Sequence, residues 1–220
     1  MSKERPILFS APMVRALLDG SKSQTRRVVK PQPEVSPGGH VMGEWLRKPL
    51  GGLLLPRPQD LALDCPYGQP GDRLRVRETF TAYGRWETRF SAKKARDEWH
   101  FVDMTVECDR RYQYAADNPG VPLAKERGDA LPGWYTRPAI FMPRAASRIL
   151  LEIVNVRVER LNAITLSDIC KEGLAKSIYD FCPATDGFRV WKELWESING
   201  AGSWAANPWV WVLEFKRVQP

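Results

Sequence analysis

The sequence predicts an α+β fold: a small β-barrel, closed or nearly closed, with flanking helices and two large irregular insertions in a single domain spanning 1–220. Three observations carry this. Apolar residues alternate with period two in several separate stretches, while only three short stretches show helical spacing. The strand candidates are joined by irregular pieces, not by regular crossover helices, which argues against a doubly wound sheet and for a barrel. The chain of 220 residues, 43% hydrophobic, is long enough to bury a core and to carry insertions on one domain.

The elements follow in order. Residues 6–10 (PILFS) are the first strand candidate. At 11–19, Met13, Ala16 and Leu17 recur at helical spacing, with Ser10 placed to cap and Pro12 tolerated in the first turn. Gly20 ends this helix, where a left-handed residue is wanted. Thr25–Val29 is the next strand candidate. From 31 to 69, repeated prolines (Pro31, Pro33, Pro37, Pro49, Pro56, Pro58, Pro66) and the pairs Gly38–Gly39 and Gly51–Gly52 exclude long regular elements, giving the first insertion. Order returns at 71–80 (GDRLRVRETF), where Leu74, Val76 and Glu78 alternate with Arg73, Arg75 and Arg77.

Residues 81–140, mixed aromatic and charged, read as the second insertion, with no more than a short hairpin. In 147–161 (SRILLEIVNVRVERL), Ile149, Leu151 and Ile153 change phase with Val156 and Val158 around Asn155, which signals a bulge in a long strand. The stretch 165–174 (TLSDICKEGL) opens with Thr165 and Asp168 in capping-box positions. A helix over 187–198 sets Trp191 and Trp195 one turn apart. The chain closes with a strand over 208–218, where Trp209, Trp211, Leu213 and Phe215 share a face.

Net charge is +7 with a pI near 9.4, which favours a polyanionic partner. The excess is local. Lys3, Arg5, Arg15, Lys22, Arg26, Arg27 and Lys30 face only Glu4 and Asp19 in the first thirty residues, and Arg137, Arg144 and Arg148 form a second group. RNA or another single-stranded nucleic acid is the expected partner. No apolar run reaches the length of about 18 residues that a spanning helix needs, so no membrane partner is expected. The N-terminus carries no secretory pattern, and the expected location is the cytoplasm. Cys65, Cys108, Cys170 and Cys182 form no CxxC pair, and His40 and His100 are the only histidines. Unpaired thiols are expected, with no metal and no cofactor.

The seam at 18–31 (LDGSKSQTRRVVKP) crowds Lys22, Thr25, Arg26 and Arg27 between a helix and a strand. Together with PGDRLRVRE, RLNAITLSDICKEGL and WVWVLEFKRV, this seam makes the chain resemble the ASCH domain family. These are small barrels similar to the PUA domains of RNA-modifying enzymes, and the resemblance is to the longer variety encoded by phages and prophages. It covers residues 6–30, 70–80 and 146–218 and leaves both insertions outside. The family signature G-x-K-x-x-T-x-R is matched by Gly20, Lys22, Thr25 and Arg27.

The resemblance implies binding of RNA, single-stranded nucleic acid or a modified nucleoside in a basic pocket. In a small bacterial branch it implies an amidohydrolase acting on 4-acetylcytidine. Carried over by motif, the catalytic residues of that branch become Lys22, Thr25 and Glu172. Thr25 attacks only if a base takes its proton, and Lys22 is such a base only when neutral. An ordinary lysine titrates near ~10.4; burial and the neighbouring arginines push that value down, and Glu172 pushes it up. A Lys22–Glu172 salt bridge makes the trio a polar binding pocket. A carboxylate set farther off serves as acid or orients a water.

Further candidates line the expected ligand side. Arg26 and Arg27 lie on opposite faces of an extended segment, so at most one of them points into a pocket and the other contacts phosphate or water. Arg75 belongs to a stripe with Arg73 and Arg77 that suits a phosphate backbone or a solvated outer face. Glu78 either lines the barrel mouth or is the first exposed residue past the core. Trp204 and Asn207, in the 199–208 loop, are placed to stack on a base and read its edge. Gly20 and Arg144 complete the set. A third reading makes the chain a phage accessory protein whose insertions bind a host protein; the oligomeric state stays open.

Overall fold

The computed structural model describes residues 2–48, 50–124 and 131–218; Pro49 and residues 125–130, which belong to the two expected insertions, lie outside them. The protein is a mixed α+β structure with a mostly sheet core. In chain order its strands are β1 (Glu4–Leu8), β2 (Gln24–Val28), β3 (Glu34–Val35), β4 (Val41–Met42), β5 (Arg73–Arg77), β6 (Phe80–Ser91), β7 (Arg96–Asp103), β8 (Gln113–Tyr114), β9 (Gly133–Arg137), β10 (Leu150–Arg160) and β11 (Trp209–Val218). The α-helices are α1 (Ala11–Leu18), α2 (Leu166–Lys171) and α3 (Thr185–Asn199). The chain forms two compact units, one from Met1–Ile7, Ala16–Arg75 and Ile149–Pro220, the other from Leu8–Arg15 and Val76–Arg148.

In the first unit a five-stranded sheet runs β1–β5–β10–β11–β2. This path is open, with β1 and β2 at its edges, and among the described residues it closes no barrel. Pro6 sits in the edge strand β1, where a missing N–H is tolerated. The β10–β11 ladder slips register between Ile153 and Asn155, so the change of phase in the sequence is a bulge with Val154 as the extra residue.

β11 lies between β10 and β2 and is buried on both faces. Val210 and Val212 pack with Leu161 and Ile164 of the turn before α2 and with Ile169, Trp191 and Trp195 of α2 and α3. On the opposite face Trp211 meets Trp45 edge-on at 6.1 Å, and the Trp45 indole N–H donates to the Pro31 carbonyl. Residues 31–69 are irregular, as their prolines require, built from the short β3–β4 pair and 3₁₀ turns at Gly43–Arg47, Leu50–Gly52 and Pro58–Asp64. They are nonetheless packed: Val41, Trp45, Leu50 and Leu61 are all buried.

The second unit departs from the sequence expectation. Residues 81–140 hold more than a short hairpin: β6 and β7 pair antiparallel from Gly84↔Asp103 to Ser91↔Arg96, and β8 and β9 pair with β6. The period-two signal is present but written in aromatic and charged residues, with Trp86 and Phe90 on one face against Arg85, Glu87 and Arg89 on the other. An aliphatic pattern would have exposed it. Phe80 and Ala82 pack with Met142 and Ala146, flanked by Phe101, Tyr112 and Tyr114.

Gly84 makes the hairpin possible. A Cβ there would run into the Val102 carbonyl of β7 and come within 2.8 Å of the Phe101 ring. Gly84→Ala is expected to destabilise this unit by roughly 1–3 kcal/mol, since backbone has to move. Urea unfolding followed by tryptophan fluorescence measures it, and an unchanged midpoint contradicts the close approach.

Candidate functional site

The seam after α1 is built from backbone first. Gly20 adopts φ +82°, the left-handed conformation expected past a helix end. The Lys22 N–H donates to the Ala16 carbonyl, Ser23 donates to Lys171 at the end of α2, and the Ser23 carbonyl accepts from Phe215, each at 2.9 Å. Lys22 and Glu172 form an isolated antiparallel bridge. Gly173, at φ +88°, permits this contact: a Cβ there would lie 2.7 Å from Ala16 Cβ and 3.0 Å from Lys22 Cβ.

Side chains then extend the seam into a chain of ion pairs. Lys22 Nζ donates to the Glu172 carbonyl at 2.8 Å and to Glu172 Oε2 at 2.9 Å, so it satisfies an orphan carbonyl at the end of α2 as well as the carboxylate. Arg26 donates to Glu172 Oε1 at 3.3 Å. Across the sheet, Val212 of β11 stands between Arg26 of β2 and Arg157 of β10. The two arginines share two carboxylates. Glu159 gives one oxygen to Arg26 (2.6 Å) and the other to Arg157 (3.1 Å); Asp168 does the same at 3.3 and 3.1 Å. Arg157 also pairs with Glu214.

The network grades from dry to wet. The side chains of Lys22 and Arg26 are 0% exposed and that of Glu172 is 2% exposed, whereas Arg157 and Glu214 are 31% and 28% exposed. Burial pushes the Lys22 ammonium below the ordinary lysine value, and contact with Glu172 opposes that shift without reversing it. Burial also disfavours the Asp168 carboxylate, but the Thr165 N–H and hydroxyl, with Arg26 and Arg157, hold it below the usual range. Apolar residues of similar volume would match such a buried network in stability, so packing alone does not explain it.

The structure thus brings together Lys22 and Glu172, 150 residues apart, and adds Arg26. Thr25 is buried but shares the Trp211 face of the sheet with Arg27, opposite Arg26, as alternation dictates. Burial lowers Arg27 from the usual guanidinium value, with Tyr67 and Glu172 acting against the shift. Arg75 pairs with Glu4 at 3.4 Å. In the second unit Arg144 is exposed in a 3₁₀ turn, and Glu78 is buried, held at both oxygens by Arg148, which also binds Asp117.

Trp204 and Asn207 have structural partners where ligand contacts were expected. Trp204 packs half-buried against the α2–α3 cluster. Asn207, at φ +44°, accepts the Asn162 N–H through its side chain and the Arg160 guanidinium through its carbonyl. The glycine-rich loop folds back on itself through turn hydrogen bonds such as Ala206 N–H to Gly202, which carries the indole onto the core.

Arg157, Glu159 and Glu214 were not singled out from the sequence, and Asp168 only as a capping residue; for Arg157 and Glu159 the signal was the polar alternation Asn155, Arg157, Glu159 in β10. The four cysteines are free, and no group of three or more His, Cys, Asp or Glu side chains among the described residues is placed to hold a metal. No described helix is long and apolar enough to cross a membrane. No family model, curated protein or solved structure matches the chain.

Two measurements test this geometry. Lys22→Met leaves Glu172 partly uncompensated and is expected to lose about 3–5 kcal/mol in urea unfolding, while the double variant Lys22→Met, Glu172→Leu recovers part of that loss. For Asp168 the folded pKa lies below the unfolded value of about 3.9, so its contribution is full above that value and is lost as pH falls through the folded one. Asp168→Asn is therefore expected to flatten the acid limb of a Tm-against-pH profile below about pH 4.

Proposed function

We propose that the chain is an ASCH-type, PUA-like protein that binds RNA, single-stranded nucleic acid or a modified nucleoside over the Lys22–Glu172–Arg26 cluster. The observation that carries this reading is the buried Lys22–Glu172 contact, which joins the signature after α1 to the KEG stretch after α2. It is supported by where the resembling segments 6–30, 70–80 and 146–218 fall: most of their residues belong to the first unit, with 8–15, 76–80 and 146–148 in the second, and the second insertion, 81–140, belongs to the second unit. The barrel of that family is part of the proposal, with the open sheet as its nearest observed counterpart.

Arg157 is the natural entry point. Its guanidinium is partly exposed and held by carboxylates that an incoming phosphate can replace, while the +7 net charge draws a polyanion toward the protein. Fluorescence anisotropy with a labelled single-stranded RNA 12-mer tests this. Affinity is expected to fall steeply between 50 and 200 mM salt, as phosphate contacts require. A flat salt dependence, or no binding to RNA or DNA strands, overturns it.

One observation favours a second reading, amide hydrolysis on a 4-acetylcytidine-like nucleoside. Burial lowers the proton affinity of Lys22, as a base requires, while its salt bridge to Glu172 speaks for the binding reading over this one. Chromatography of acylated nucleosides incubated with the protein detects such activity. Lys22→Ala is expected to reduce it by at least about 10²-fold, and full activity in that variant ends the catalytic reading.

A further inference from the structure

The second unit carries an aromatic groove that the reading above leaves unused. On the face of β6, β7 and β9 that holds Trp86, the register places Phe101 directly opposite it and brings Tyr135 and Arg137 to the same side. Trp86, Phe101 and Tyr135 meet edge-to-face, with centroids 5.4 to 6.3 Å apart. The Arg137 guanidinium lies 4.6 Å from the Trp86 ring, 4.7 Å from Phe101 and 4.9 Å from Phe141. These groups line a groove of about 700 Å³ whose outer wall includes Trp99 and Phe141.

We infer that this groove stacks the bases of a single-stranded nucleic acid, extending the nucleic-acid reading to a second surface remote in sequence from the Lys22 seam. Three features point to that ligand. First, the rings on the outer wall stand in water: Trp99 is 45% exposed, Phe141 59%, and Phe90, farther out on the same face, 70%. A core has no use for rings so placed, whereas a base presents a flat apolar face to each of them.

Second, the permanent charge among the described lining residues is a cation, Arg137, held against aromatic faces, and a strand carries an anion beside every base. Third, the rings are spaced for a strand. Same-face neighbours on β7 (Trp99 and Phe101) are two residues apart, about 7 Å, so an extended chain running along the hairpin meets successive aromatics. Stacking with weak sequence preference is the expected mode.

The test uses the full chain and labelled 12-mers of rU, rA and dT in anisotropy titrations, with free nucleoside monophosphates as competitors. Trp99→Ala and Phe141→Ala remove exposed rings, and circular dichroism and Tm confirm that each variant folds. Each is expected to weaken 12-mer binding by roughly 5- to 150-fold, and both to act on all three oligomers. Arg157→Gln, in the first unit, separates the two surfaces. Loss with Arg157→Gln but not with the ring variants overturns the groove and keeps the proposed first-unit site; loss with the ring variants alone does the reverse.

No binding by wild type overturns both. Monophosphates that bind as tightly as the 12-mers overturn the strand and leave a nucleotide pocket. Self-association in sedimentation that Trp99→Ala abolishes, with no effect on oligomer binding, makes this face a protein interface and likewise overturns the inference.

Discussion

Arg26 is the point on which the first unit turns. Its guanidinium, fully removed from water, is held by carboxylates from three elements: Glu159 of β10, Asp168 of α2 and Glu172 just past α2. A buried guanidinium without such partners would be several kcal/mol too costly to keep. The need for anions on one side of β2 therefore fixes where α2 ends, how far β10 reaches and which way the seam after α1 turns. Gly20 and Gly173 follow from the same demand. One turns the chain, and the other lets Lys22 and Ala16 close on the end of α2.

The two units solve different problems with the same sheet architecture. In the first, β11 is buried on both faces and apolar along most of its length, so the polar groups are pushed to the margins of Val212 and must neutralise one another there. In the second, one face of β6 grades from buried Phe80 through half-buried Trp86 to exposed Phe90, and no element covers the outer end within that unit among the described residues. Burial is abandoned gradually along a single strand. That gradient separates a core from a surface built of core-like residues.

Much of the first unit was legible in the sequence because its signals are local or periodic. Gly20 past a helix, the Thr165–Asp168 capping box, the phase change at Asn155 and the Trp191–Trp195 turn each depend on neighbours within a few residues, and each stands where expected. The Lys22–Glu172 contact is not local, and no periodicity implies it; it was suggested only by resemblance to a family. The partners of Arg26 were invisible for the same reason, since which carboxylate meets which arginine is set by strand register. The sheet in 81–140 escaped because its alternation is carried by Trp, Phe, Arg and Glu, a pattern that composition alone also gives to loops. Trp204 drew attention as part of a flexible-looking loop, and that loop is closed by its own turns with the ring partly packed on the core.

Opposing forces act on the buried Lys22 ammonium, and burial disfavours its charge. Arg26 and Arg27 add to that effect by repulsion, while contact with the Glu172 carboxylate and the hydrogen bond from the ammonium to the Glu172 carbonyl oppose it. The carboxylate and the carbonyl both belong to Glu172, so one residue just past α2 supplies the two groups that hold the ammonium in place.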